Sequence, residues 1–121
     1  MAWTYSQTTG KLSLGETTFG CGYAGFGEGV NNHADQGIPT IGPIPVGTYT
    51  IGPASTHPAA GPLTMRLIPQ DGTDTLGRSG FLMHGDNQAM NHTASHGCII
   101  MPHSVRAMVA ASNDRTLIVV E

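Results

Sequence analysis

Apolar and polar positions alternate along this chain in short stretches punctuated by glycine. Trp3-Thr4-Tyr5-Ser6-Gln7 and Leu12-Ser13-Leu14 flank Thr8-Thr9-Gly10-Lys11, a pattern that predicts a β-hairpin turning at Thr9-Gly10. Val46-Gly-Thr-Tyr-Thr-Ile-Gly52 and Thr64-Met-Arg-Leu-Ile-Pro69 repeat the two-residue period, and Gly80-Phe-Leu-Met-His-Gly85 follows it less cleanly, predicting three further strands. Residues 30–47 mix polar residues, Gly and Pro without a period, which predicts a long ordered surface loop able to hold binding groups. Only residues 102–112 read as helix: proline suits a first turn, and Val105, Met108, Val109 and Ser112 share one face. Thr116-Leu-Ile-Val-Val120 is expected to be a buried strand. The expected fold is therefore mostly β, with one short C-terminal helix packed on it, in one domain over residues 1–121.

Composition agrees with a turn-rich chain. Charged residues make up 11% of 121, against a usual ~25%, while there are 17 Gly and 8 Pro. A net charge of -3 with five Lys and Arg offers neither the basic stripe that nucleic acid needs nor attraction to an anionic membrane, so neither partner is expected. The N-terminus has no basic region followed by an apolar one, so no secretory signal is visible, and no stretch is apolar enough to span a bilayer.

Candidate chemistry centres on Thr93-Ala-Ser-His-Gly-Cys-Ile-Ile-Met101. A cysteine attacks a carbonyl as thiolate, and needs a base, a group that orients the base, and donors for the oxyanion. His84, at the end of a predicted strand, is the candidate base. The main-chain amides of Gly97 and Cys98 are candidate oxyanion donors, with glycine allowing close approach. If His84 activates Cys98, the thiol pKa is expected below its free value of about 8.5. Cys21 has no matching partner and reads as packing. The competing reading of each residue is structural: a cysteine as small hydrophobe, a histidine as satisfied strand residue.

His84-Gly85, followed by Ser95-His96-Gly97-Cys98-Ile99, resembles the signature of the L,D-transpeptidase catalytic domain. Gly42 to Ile51 resembles that family's Pro-x-Gly-x-Tyr strand, and Gly77 to Asp86 its approach to the histidine. The opening WTYSQTTGKL, the run GCGYAGFGEGVNNHADQ and HGDN are similar to a compact branch of bacterial effectors delivered by type VI secretion into the periplasm of competitors. The resemblance implies a β-sandwich or barrel and a peptidoglycan enzyme without a cofactor. In such an enzyme Cys98 attacks the L,D bond between diaminopimelate and D-alanine of stem tetrapeptides, forming a thioester that water or an amine resolves.

Carried over to this sequence, the resemblance makes His84 the base, Ser95 the candidate orienter and His96 a supporting residue. Asp86 and Asn87, next to Gly85, either contact substrate or cap a turn. Tyr23, Asn31 and Asn32 are candidate cleft residues, and the two asparagines equally suit turn geometry. Many members carry Arg or Asn two residues after the cysteine, where Ile100 stands here. Arg78 or Arg106 is the candidate substitute, and Arg78 is also a candidate partner for the substrate's terminal carboxylate. Implied partners are peptidoglycan stem peptides, an immunity protein and type VI secretion components. Two other function classes compete. One is a zinc site built on His96 and Cys98 with His84 or His92, whose spacing matches no closed framework. The other is a non-catalytic module that binds peptidoglycan or a partner.

Overall fold

A computed structural model describes residues 2–58, 60–85 and 98–121. Ten strands and one α-helix are found among them: β1 (Trp3–Ser6), β2 (Lys11–Leu14), β3 (Thr17–Cys21), β4 (Tyr23–Ala24), β5 (Gly47–Ile51), β6 (Ser55–His57), β7 (Gly61–Pro69), β8 (Leu82–His84), β9 (Ile99–Ile100), α1 (His103–Ala111) and β10 (Thr116–Val120). The strands form one mixed sheet in the order β3-β2-β1-β10-β5-β7-β8-β9-β4, with β6 paired to β7. The mostly β architecture with one C-terminal helix is as the alternation predicts.

Strand residues face inward at every second position because the pleat alternates its side chains. Trp3 and Tyr5 of β1, Tyr49 and Ile51 of β5, Met65 and Leu67 of β7, and Leu117 and Val119 of β10 are buried in one cluster with Met83, Ile99, Val105 and Val109. β10 is thus half-buried rather than wholly buried: its other face leaves Ile118 37% and Val120 38% exposed. On α1 the buried residues are Val105, Arg106 and Val109, whereas Met108 is 49% exposed. Arg106 takes the inward position that the apolar pattern assigns to Met108, because its guanidinium finds main-chain carbonyls there. Pro102 precedes the helix as its N-cap.

The sheet is not closed into a barrel, yet its two ends are consecutive in the chain. β3 and β4 are separated only by Gly22, which turns the chain from one end of the strand order to the other. That turn brings three backbones together: the Gly22 amide donates to the Gly10 carbonyl at 2.8 Å, and a Cβ on Gly22 would lie 1.7 Å from the Ile100 carbonyl oxygen. Gly10, with φ +72°, would meet the Gly22 carbonyl at 2.0 Å in the same way. Only glycine fits at both positions.

The loop over residues 26–46 is ordered by its own polar groups, with short 3-10 turns at Gly27–Gly29 and His33–Asp35. Gln7, fully buried, donates to the Ile44 carbonyl at 2.8 Å and to Gln36 Oε1 at 3.1 Å, pinning the loop to the first hairpin. Substituting Gly22 by Ala should destabilise the fold by about 3 kcal/mol or more, since the neighbouring Ile100 carbonyl is rigid main chain. The check is a lowered midpoint in denaturant unfolding, and a parent-like midpoint would refute the close-approach argument.

Candidate active site

β8 and β9 run parallel, with Met83 opposite Ile99 and His84 opposite Ile100, and the Met101 amide donates to the His84 carbonyl at 3.0 Å. Cys98, one residue ahead of β9, therefore stands beside Leu82, whose main chain hydrogen-bonds the thiol. Leu82 and His84 share a face of β8. His84 and Cys98 are thus neighbours across adjacent strands, two register steps apart. At about 3.3 Å per residue and about 4.8 Å between strands, their Cα atoms lie roughly 8 Å apart, within the joint reach of an imidazole and a thiol.

The imidazole is held in one tautomer. His84 Nδ1 lies 2.8 Å from the Gly85 carbonyl oxygen, which can only accept, so Nδ1 carries the proton and Nε2 keeps its lone pair. A general base needs that tautomer. The orienting group is thus a main-chain carbonyl one residue away, and composition or motif spacing gives no signal for it. Ser95, the candidate orienter from the sequence, lies outside the described residues, as do His96, Gly97, Asp86 and Asn87 and with them the Gly97 oxyanion donor.

Two buried arginines flank the pair. Arg106 donates through Nε to the Met101 carbonyl at 3.0 Å and through Nη1 to those of Pro62 and Leu63 at 3.0 and 3.1 Å. Its Nη2 would lie 2.7 Å from a Cβ on Gly85, so Gly85 is where the backbone that orients the imidazole passes the guanidinium. Arg78 donates to the carbonyls of Gln36, Pro43 and Gly42 at 2.5, 2.8 and 3.1 Å and lies over the Phe81 ring, 5.5 Å from its centroid. Its donors are directed at the loop, which places Arg78 as a clamp on residues 36–43 whose charge reaches Cys98, rather than as a group held open for a carboxylate.

The thiol departs from expectation. Burial pushes the Cys98 pKa above its ordinary value, while the hydrogen bond from Leu82 and the charge of Arg78 pull it down less strongly. Its Sγ lies 4.0 Å from the Gly80 carbonyl oxygen, an acceptor that only the protonated thiol can use. Burial and this contact both favour the neutral thiol, the opposite direction to the lowered pKa that activation by His84 predicts. Cys21 is exposed rather than packed, and neither cysteine is in a disulfide.

The remaining candidates are part of the scaffold. Tyr23 is buried on β4 opposite Ile100. Asn31 has φ +52° and its Oδ1 accepts from the Ala24 amide at 3.2 Å, while Asn32 Oδ1 accepts from Ala34 at 3.2 Å. Both asparagines thus meet the turn reading.

The family profile of the Tlde1 domain matches residues 19–120, a span that takes in both His84 and Cys98, and the chain belongs to that family. The family is one of type VI secretion effectors, which points to an antibacterial protein exported by that machinery. No curated protein and no solved structure matches the chain. Among the described residues, no helix is long and apolar enough to cross a membrane.

Because the folded-state thiol pKa is raised, the thiolate fraction at neutral pH is smaller than that of a free cysteine and grows as pH rises past the ordinary thiol range. In a Cys21→Ser background, iodoacetamide should alkylate Cys98 more slowly than a free thiol at pH 7 and accelerate at alkaline pH. Arg78→Gln should move that profile further up, and a fast, pH-independent reaction near neutrality would refute the resting-thiol assignment.

Proposed function

We propose that this effector domain is a cysteine acyl transferase acting on peptidoglycan stem tetrapeptides at the L,D bond between diaminopimelate and D-alanine. The single observation that carries the reading is the placing of Cys98 and His84 on neighbouring parallel strands, with the imidazole locked so that Nε2 accepts. Since the resting thiol is neutral, its proton moves to Nε2 as Sγ adds to the scissile carbonyl, rather than before substrate arrives. The tetrahedral oxyanion collapses to a thioester between Cys98 and the acyl donor. The D-alanine amine leaves with the proton that His84 returns.

Resolution then follows the acceptor. Water, deprotonated by His84, yields the tripeptide and restores the thiol, which is L,D-carboxypeptidase action. The amine of another D-amino acid yields an exchanged tetrapeptide. Trimming removes the terminal L,D bond that a crosslinking donor needs, and exchange replaces its leaving group, which suits an antibacterial effector acting in the periplasm of a target cell. An immunity protein that covers the Cys98–His84 cleft would protect the producer.

A second reading draws on the raised thiol pKa: a binding module in which Cys98 is a half-buried small residue. The two separate on turnover. Incubated with disaccharide tetrapeptide, with and without a D-amino acid, the parent should release or replace D-alanine by mass spectrometry. Cys98→Ala should lose at least about 10³-fold and His84→Ala about 10²- to 10⁴-fold in rate, with the fold kept. Binding without any mass change by the parent would overturn the enzyme in favour of the module.

A further inference from the structure

The register that brings Cys98 beside Leu82 continues one strand further. Leu82 pairs with Arg66 of β7, so Arg66, Leu82 and Cys98 form a row across three adjacent strands. Two inter-strand spacings put the Arg66 and Cys98 backbones roughly 10 Å apart. At the Arg66 end of the row lies a cavity of about 190 Å³, lined among others by Pro53, His57, Arg66, Ile68 and Leu82 and, among the described residues, by no acidic one.

Arg66 differs from the chain's other arginines. Arg78, Arg106 and Arg115 all donate to main-chain carbonyls. The Arg66 side chain is exposed and makes no hydrogen bond or ion pair among the described residues. His57 adds to the same character: its Nδ1 accepts from the Ala60 amide at 3.0 Å, so its Nε2 carries a proton and is a donor. A cavity smaller than an ordinary ligand pocket, with aliphatic walls and cationic or donating groups, fits one carboxylate on a short aliphatic stem rather than a whole substrate.

The geometry points to this cavity as a carboxylate subsite for the molecule that Cys98 acylates, with Arg66 as the residue that recognises it. The assignment rests on the proposed acyl transfer, in which each residue flanking the scissile bond of the stem tetrapeptide carries one carboxylate. One is the terminal carboxylate of D-alanine, on the leaving side. The other ends the diaminopimelate side chain, on the acyl side.

Binding and turnover test the subsite separately. In a Cys98→Ala background, calorimetric titration with disaccharide tetrapeptide should show Arg66→Gln weakening binding about tenfold and Arg66→Glu more, because a charge-assisted pair becomes first neutral and then repulsive. With Cys98 intact, the same substitutions should raise KM while leaving the iodoacetamide profile of Cys98 and the unfolding midpoint unchanged. Repeating the titration with tetrapeptide amidated at D-alanine, and separately at the diaminopimelate side chain, identifies the recognised carboxylate as the one whose amide abolishes the effect of Arg66→Gln. Equal binding by the parent residue and Arg66→Gln, or an effect that persists with both amides, overturns the subsite. Failure of acyl transfer alone appears instead as Arg66-dependent binding without any product.

Discussion

Main-chain carbonyls without strand partners are the constraint on which this structure depends. A chain with 17 Gly, 8 Pro and, among the described residues, one nine-residue α-helix runs much of its backbone through turns, and each buried carbonyl there needs a donor. Three arginines supply them. Arg78 ties the loop over residues 36–43 to the segment leading into β8, and Arg106 ties the end of β9 to the start of β7. Arg115 spans the last turn of α1 and the end of β5, donating to Val109 at 3.1 Å and Gly52 at 2.6 Å. A guanidinium suits this work because its five donors are fixed in a plane and it keeps its charge when partly buried.

The same device shapes the candidate site. Arg106 holds the carbonyls of Pro62 and Leu63, and Leu63 is kept at φ +54°, a conformation a leucine adopts only when its surroundings impose it. It also lies against Gly85, whose carbonyl fixes the His84 tautomer. Arg78 clamps the loop and lends positive charge near Cys98, opposing the burial that keeps the thiol neutral. Scaffold and chemistry therefore share residues, and the site is built into the sheet rather than hung on its edge.

Much of this was legible in the sequence, and the limits have physical causes. Two-residue alternation located β1, β2, β5, β7 and β8, because alternation is what a half-buried strand demands of its side chains. The helix was legible from Pro102 and the spacing of Val105 and Val109. Met108 and Arg106 exchanged places because apolar periodicity does not register a buried cation whose partners are carbonyls from distant segments. His84 and Cys98 stood out by residue type and motif, but their adjacency comes from the parallel register of β8 and β9, which the spacing of the motif does not reveal. The Gly85 carbonyl could not be singled out at all, since every residue has one. The asparagines of the loop carried both a turn and a cleft reading, and side-chain acceptors facing their own backbone decided for the turn. The thiol's neutrality likewise depends on burial, which local sequence does not encode.

The strand order has a consequence for how the domain comes into being. β10, the last strand, lies in the middle of the sheet between β1, its parallel partner, and β5. Until Thr116–Val120 emerges from the ribosome, β1 and β5 lack the strand that joins their edges. Assembly of the sheet must wait for β10 to be laid between them, so a strand made after those that hold His84 and Cys98 completes the frame around both residues.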